Sequence, residues 1–589
     1  MFWRLIYQGV FKKQTAALVV FMAAGLTVAG WFFNWGVGVS ADYVHEIRKN
    51  IEIFGLVYQE ISKKYVEPVD PDKFMKAGIH GMLETLDPYT TLIEDESNSH
   101  LQIITTGKYG GLGMRIGEQQ GWPTVVEQPF EDDPAGKAGI REGDRIIAID
   151  GQTTRGISIN EVAKRLRGEI GTPVTLKIER EGEPEPLDFR LIRAEITILD
   201  VSYSGIIKDG IGYIKLAGFS KNAGYEIRQA LRELQAQGLK SVILDLRNNP
   251  GGLLDAAVSV SENFVGKGDL VVSTKGRMEE SVKEYRSDAE PIAGSLPLIV
   301  LVNDYSASAS EIVAGAIQDL DRGVIIGQPT FGKGLVQTVV PITRDAALKI
   351  TTAKYYIPSG RLIQRVDRLR SEAAPEVLAD EELGEESPTT GAATIASEVN
   401  NDSTHIYYTL NNKREMHGGG GIKPDIRIES PRLNRYQYEL RRKSLFFHFA
   451  LTYANQHRDL PRNFVVGDDI LAQFRKFIEE KGFSYVSQSE DELANLKKIA
   501  AEEGYLEVLQ DEITGLETAL KAQKTDDFAR NRDYIVRELE KEIAAKLFGT
   551  KAKVEATFDD DPYLAEAIKI LQSQERYLAI LGAGAKRKG

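Results

Sequence analysis

Apolar residues between Ile211 and Ile326 fall into two rhythms that take turns. Continuous runs at Gly212-Tyr-Ile-Lys-Leu216, Ser241-Val-Ile-Leu-Asp-Leu246, Leu298-Ile-Val-Leu-Val302 and Gly323-Val-Ile-Ile326 suit strands buried on both faces. Gly224 to Gln237 and Ser310 to Leu320 have instead the spacing of helices. Such alternation predicts an α/β core with a mainly parallel sheet, whose sites lie beyond the carboxyl ends of its strands. Asn249-Pro-Gly-Gly252 and Ser308 both follow strands and so belong to that edge.

The pattern differs on either side. Residues 42–104 read as helices, with amphipathic stretches at Val44 to Lys64 and Lys73 to Leu86, the second ended by Asp87-Pro88. From Gly107 to about Arg193 short alternating strands (123–127, 144–150, 173–179) and one helix (159–167) make a small compact domain. Residues 367–402 are acidic and rich in Ala, Ser, Thr and Pro, which suits a flexible insertion. Order returns at His405 to Leu410, the core closes near Ile422 to Ile428, and long charged helical segments run from Leu493 to Lys546. The expected division is 1–41, 42–104, 105–195, 196–430 and 431–589, a multidomain chain of α/β and α+β parts.

Composition narrows the function. A net charge of −13 argues against a nucleic-acid binder, which carries a basic face. With no cysteine there is no disulfide, thiolate metal ligand or cysteine nucleophile. Arg4, Lys12 and Lys13 precede an apolar run of 18 residues, Ala16 to Phe33, near the lower limit for a membrane span. Basic residues on that side predict export of the chain beyond the run. Val39-Ser-Ala41 offers a cleavage site, so the run serves as an anchor or as a removed signal.

The candidate chemistry lies in Tyr305-Ser-Ala-Ser-Ala-Ser-Glu-Ile312 and Thr330-Phe-Gly-Lys-Gly-Leu-Val-Gln337. A serine hydroxyl needs a base within reach, and none of the seven histidines, at 45, 80, 100, 405, 417, 448 and 457, is close in sequence. Lys333, set between glycines and beside Phe331 and Leu335, can serve if burial brings its amine from about 10.4 towards neutrality. Gln337 can orient that amine, while the Ala309 amide and the Gly251-Gly252 turn can supply the two oxyanion donors. Rival readings exist. Ser308 also suits a helix N-cap. Gly327 to Lys333 matches a phosphate-binding loop, except that Gly334 replaces the Ser or Thr that would hold magnesium.

Taken together, Leu86-Asp-Pro88, Leu244-Asp-Leu-Arg-Asn-Asn-Pro-Gly-Gly252, Ser306-Ala-Ser-Ala-Ser-Glu311, Thr330-Phe-Gly-Lys-Gly334 with Gln337, and Ala353-Lys-Tyr-Tyr-Ile-Pro-Ser-Gly-Arg361 resemble the carboxyl-terminal processing, or tail-specific, serine proteases. The resemblance covers roughly residues 45–430. It implies a Ser-Lys protease core with Ser308 as nucleophile, chosen over Ser306 and Ser310, Lys333 as general base and Gln337 as its partner. It also implies Ala309 with Gly251 or Gly252 as the oxyanion hole, and neither a metal nor an organic cofactor.

The 105–195 domain then resembles a PDZ domain. Gly111, Leu112, Gly113 and Met114 stand at its carboxylate-binding loop, and Leu112 and Met114 suggest a pocket for apolar C-terminal side chains. The whole reads as an envelope or periplasmic endopeptidase acting on proteins with accessible C-termini. Membrane contact falls at residues 16–33, and the 431–589 extension is left for packing, self-association or an adaptor. The non-enzymatic rival is a peptide-binding scaffold with an inactive core.

Overall fold

The computed structural model describes residues 41–94, 103, 105–343, 346–369, 395, 399–400, 402–429, 432–524 and 526–582. The apolar run Ala16 to Phe33, the cleavage site before Ala41 and most of the acidic insertion lie outside them. No helix among the described residues is long and apolar enough to cross a membrane.

Residues 41–83 form, with 277–280, one compact unit, and the other described residues from 84 onwards form another. The first unit holds the helices Ala41–Lys64 and Pro71–Glu84. The Tyr58 hydroxyl donates to the Pro71 carbonyl at 2.9 Å, and its ring lies 5.3 Å from that of Phe74. The second helix starts two residues ahead of expectation. Asp70 accepts the Asp72 and Lys73 amides, and Pro71 needs no donor in a first turn.

In the second unit the expected α/β core is present. Its six strands run in the order Val201–Lys208, Ile211–Leu216, Ser241–Asp245, Leu298–Val302, Val324–Gly327 and Ile426–Arg427. The first pair is antiparallel, closed by Asp209 and Gly210 at φ 50° and 85°, the left-handed pair a two-residue hairpin turn requires. The remaining pairings are parallel.

Every residue of Ser241–Asp245 and Leu298–Val302 is buried, because both faces of this sheet are covered. Val242, Leu244, Val300 and Val302 pack with the helices Ala223–Ala236, Leu254–Ser261 and Ala309–Asp319. Ile243, Ile299 and Leu301, one step out of phase, meet Tyr563, Leu564, Ala567 and Tyr577. Thus Pro562–Leu571 and Gln574–Ile580, inside the expected C-terminal extension, form the second layer of the sheet.

A second sheet joins Thr91–Glu94, Leu270–Gly276, Lys283–Arg286, Leu335–Pro341 and the long strand Ala346–Tyr356. Thr91–Glu94 corrects the all-helical expectation for 42–104, since its pairing with Ala346 to Lys349 fixes it as a strand.

The small domain holds a six-stranded sheet edged by Ile116–Gln119, with Gln152–Thr153 paired to one inner strand. Strand Pro173–Glu179 alternates, with Val174, Leu176 and Ile178 inside. Helix Ile159–Leu166 is capped by Ser158, whose side chain accepts the Glu161 amide. After Pro431, the helices Leu445–Gln456, Asp468–Glu480 and Arg532–Glu555 enclose an aromatic core with Phe446, Phe449 and Phe474. That helical region touches the small domain through the buried pair Lys546 and Glu142, 2.5 Å apart.

If the late helices belong to the core, Leu564→Ala leaves a cavity under the sheet. The expected cost is about 2–5 kcal/mol, read as an earlier urea transition of the protease region.

Candidate active site

The three serines of the 306–310 loop have different environments. Ser306 is fully buried and its hydroxyl donates to the Leu246 carbonyl at 2.8 Å. Ser310 is equally buried and donates to the Asn249 carbonyl at 2.9 Å. Ser308, between them, is only half-buried. It opens helix Ala309–Asp319 at φ 53° and ψ −111°, a left-handed conformation a non-glycine residue holds at a cost of about 1–3 kcal/mol.

Glu311 holds that conformation. It is fully buried, and each carboxylate oxygen accepts two hydrogen bonds. Oε2 takes the Ser308 amide at 2.8 Å and the Lys333 amide at 2.9 Å; Oε1 takes the Thr330 hydroxyl at 2.5 Å and the Gly332 amide at 2.7 Å. Burial pushes this acid up to about 7 against the pull of those four donors. The Tyr355 hydroxyl makes a parallel link, donating to the Ser308 carbonyl at 3.2 Å and to the Lys333 carbonyl. The backbones of Ser308 and Lys333 are therefore tied together at both amide and carbonyl. This arrangement also decides against a phosphate loop: the Gly332 and Lys333 amides that would cradle an anion already hold a carboxylate.

The Lys333 amine lies 4.8 Å from the centre of the Tyr89 ring. Burial, aided by the positive charge of Lys349, brings it down to about 8, with Glu311 and Asp87 opposing. It forms no hydrogen bond with Ser308 or Gln337 among the described residues. Gln337 instead donates from Nε2 to the Thr351 hydroxyl at 3.5 Å, and Thr351 donates to the buried Asp87 at 3.1 Å.

The glycine turn lies against the serine loop. A Cβ on Gly251 (φ 96°) would stand 2.6 Å from the Ala307 carbonyl oxygen and 2.9 Å from both the Ala309 nitrogen and Ser308 Cβ, an approach only glycine permits. Its amide donates to Asn249 Oδ1 at 2.9 Å. Gly252 faces Phe219 instead, where a Cβ would come within 2.5 Å of the Phe219 carbonyl oxygen.

In the small domain, Gly111 ends strand Lys108–Gly111 and Gly113 has φ 73°. A Cβ on Gly113 would lie 2.2 Å from the Asp133 carboxylate. Leu112 is 2% exposed and belongs to the domain's core, so of the two expected pocket residues only Met114 keeps a partly accessible side chain.

Glu311, Tyr355 and Asp87 stand inside the matching segments, but their residue types alone gave them no role. An acid three residues after a helix-capping serine is a signal for Glu311. Nothing in the sequence marks Tyr355 as a bridge.

Comparisons with known proteins identify the family. Peptidase family S41 matches residues 210–369, a PDZ domain 125–180, the "Probable PDZ-protease, C-terminal helical domain" 436–571, and the "Activating protease CtpB N-terminal domain" 37–97. The carboxy-terminal-processing protease of Bartonella bacilliformis is 37% identical over 371 residues, 62% of this chain and 83% of that protein. The carboxyl-terminal-processing protease of Synechocystis is 37% identical over 329 residues, covering 54% and 75%. Among solved structures, a photosystem II D1 C-terminal processing protease aligns over 53% of this chain and 83% of its own, at 34% identity and TM-score 0.32. The fold and site define a serine-type peptidase with a PDZ domain. The chain belongs to the carboxy-terminal-processing proteases of peptidase family S41.

Glu311→Gln sets an NH2 group against at least one backbone N–H donor and is expected to lower kcat by about a hundredfold, measured on a protein substrate. It also changes the pH dependence of stability. Between 4.5 and about 7 the unfolded chain releases the Glu311 proton first, so wild type loses up to about 3 kcal/mol as pH rises through that window. Urea titrations across this range should show that loss in wild type and not in Glu311→Gln.

Proposed function

We propose that the chain is an exported endopeptidase that captures protein C-termini in its PDZ domain and cleaves upstream by a Ser-Lys mechanism. The carrying observation is the double tether of Ser308 to Lys333 beside an amine brought down to about 8. Neutral Lys333 takes the Ser308 hydroxyl proton as Oγ bonds to the peptide carbonyl carbon. The oxyanion is received by the Ala309 amide and one amide of the Gly251-Gly252 turn. Lys333 returns the proton to the departing amine, leaving an acyl-enzyme, and water activated by the same amine releases the new C-terminus. The missing Ser308–Lys333 bond is compatible with this role, since catalytic hydrogen bonds often tighten only around substrate. Gln337 acts from the Thr351 side, steadying the strand that follows Lys333.

Tail capture is assigned to the Gly111 to Met114 loop, where the substrate carboxylate meets backbone amides and the tail adds to the edge strand Ile116–Gln119. Apolar tails suit Met114 and the partly buried Ile116 beside it. Export and membrane tethering rest on the basic residues and apolar run within 1–41 alone, and self-association or adaptor binding is assigned to 431–589.

Ser308→Ala and Lys333→Ala should each abolish cleavage of a model protein with an apolar tail, beside active wild type. Equal cleavage by all three would refute the assignment, and an inert wild type would favour the scaffold reading. Because the base must be neutral, kcat/KM should rise with pH to a plateau above about 8 and be about a hundredfold lower at pH 6. Amidating the substrate's C-terminus should raise KM at least tenfold, an effect lost when residues 105–195 are deleted.

A further inference from the structure

The turn assigned to the oxyanion follows Arg247, and Arg247 is held from two sides. Its Nε and Nη2 donate to the fully buried Asp245, the latter at 2.6 Å, and Asp245 also accepts the Tyr213 hydroxyl at 2.6 Å. On the other side stands Asp561, which starts helix Pro562–Leu571. Asp561 Oδ1 accepts from Arg247 Nη1 at 3.1 Å, and Oδ2 lies 2.7 Å from Nη2. The guanidinium also sits 4.8 Å from the centre of the Tyr563 ring. It is thus fixed by a carboxylate of the catalytic sheet and by a carboxylate and an aromatic ring more than three hundred residues further on.

We propose that Asp561 is a positioning residue for catalysis: by clamping Arg247 it holds the 248–252 turn in register with Ser308. This rests on the Ser-Lys reading above. The turn has little tolerance. Its Gly251 lies against Ser308 with no room for a Cβ, and the Asn249 carbonyl accepts the Ala307 amide at 3.1 Å and the Ser310 hydroxyl at 2.9 Å. Movement of Arg247 passes directly into contacts on both sides of the nucleophile. The helical region after residue 431 then does more than cover the sheet, because one of its side chains sets the geometry in which Ser308 reacts.

Asp561 is also an N-cap, with Oδ1 accepting the Tyr563 amide at 2.9 Å and the Leu564 amide at 3.3 Å. The two roles separate by substitution. Asp561→Asn keeps a capping oxygen but turns an amide NH2 towards Arg247, and Asp561→Ser keeps a cap without reaching Arg247. In the full chain, kcat and KM are measured on a protein with an apolar tail. Rates are divided by the fraction of chains whose Ser308 is labelled at saturation by a fluorophosphonate, and Tm is recorded alongside. Both variants should lose about tenfold in kcat per labelled site, with KM within twofold of wild type and Asp561→Glu recovering part of the loss. If either folds poorly, the other carries the test, since unlabelled chains do not enter the rate. Wild-type kcat per labelled site in both, or losses that vanish on that correction, overturns the proposal. Full activity of Ser308→Ala, run in parallel, would instead overturn the reading beneath it and the proposal with it.

Discussion

Glu311 is the carboxylate on which the catalytic centre depends. Burying a carboxylate is costly, and here four hydrogen bonds offset the cost. Two of those donors are the backbone amides of Ser308 and Lys333, so the acid fixes the spacing of the loops that follow Leu298–Val302 and Val324–Gly327 without using either reactive side chain. Tyr355 repeats the restraint at the carbonyls of the same two residues. Such over-determination is what lets Ser308 stay in a left-handed conformation that would relax in an isolated helix start. The hydroxyl and the amine are left to react.

The same logic explains why three serines in five residues are not equivalent. Ser306 and Ser310 fasten their loop to the Leu246 and Asn249 carbonyls, at the start and middle of the glycine turn. Their hydroxyls are committed to joining two strand-to-helix loops. Ser308, half-exposed between them, is the one whose side chain faces no such carbonyl. Nucleophile loop, glycine turn and Lys333 loop thus form one cross-linked edge beyond the parallel strands.

Much of this was legible in the sequence. The unbroken apolar runs and the helical spacing between them located four of the core strands and the helices Ala223–Ala236 and Ala309–Asp319 to within a residue or two, because each strand is buried on both faces. Helix Leu254–Ser261 and the helices at 562–580 were not read. Ser308, Lys333 and the glycine turn stood out because small residues and glycine cluster where backbones approach closely. The features that escaped depend on tertiary pairing. Thr91–Glu94 is a strand only because Ala346–Tyr356 offers it an edge. Leu112 looks like a pocket residue until the domain folds around it. Gln337 turned out to meet Thr351, its cross-strand partner past an irregularity in the ladder, which spacing from Lys333 could not reveal.

The two-sided sheet has a consequence for the chain as a whole. A parallel sheet must cover both faces. Here one cover comes from helices between 223 and 319, interleaved with the strands, and the other from helices between 562 and 580. The second cover is built into the ladder as well as laid upon it: the Tyr577 hydroxyl accepts the Leu298 amide at 3.0 Å and lies 3.2 Å from the Leu298 carbonyl oxygen, across 279 residues. The contact closes a long loop, so the outer face of the catalytic sheet depends on pairing between distant parts of the chain. Without those helices Ile243, Ile299 and Leu301 would be uncovered and Arg247 would lack its second carboxylate. The strand edge that carries Ser308 therefore draws on the distal helices for both its cover and one of its charge partners.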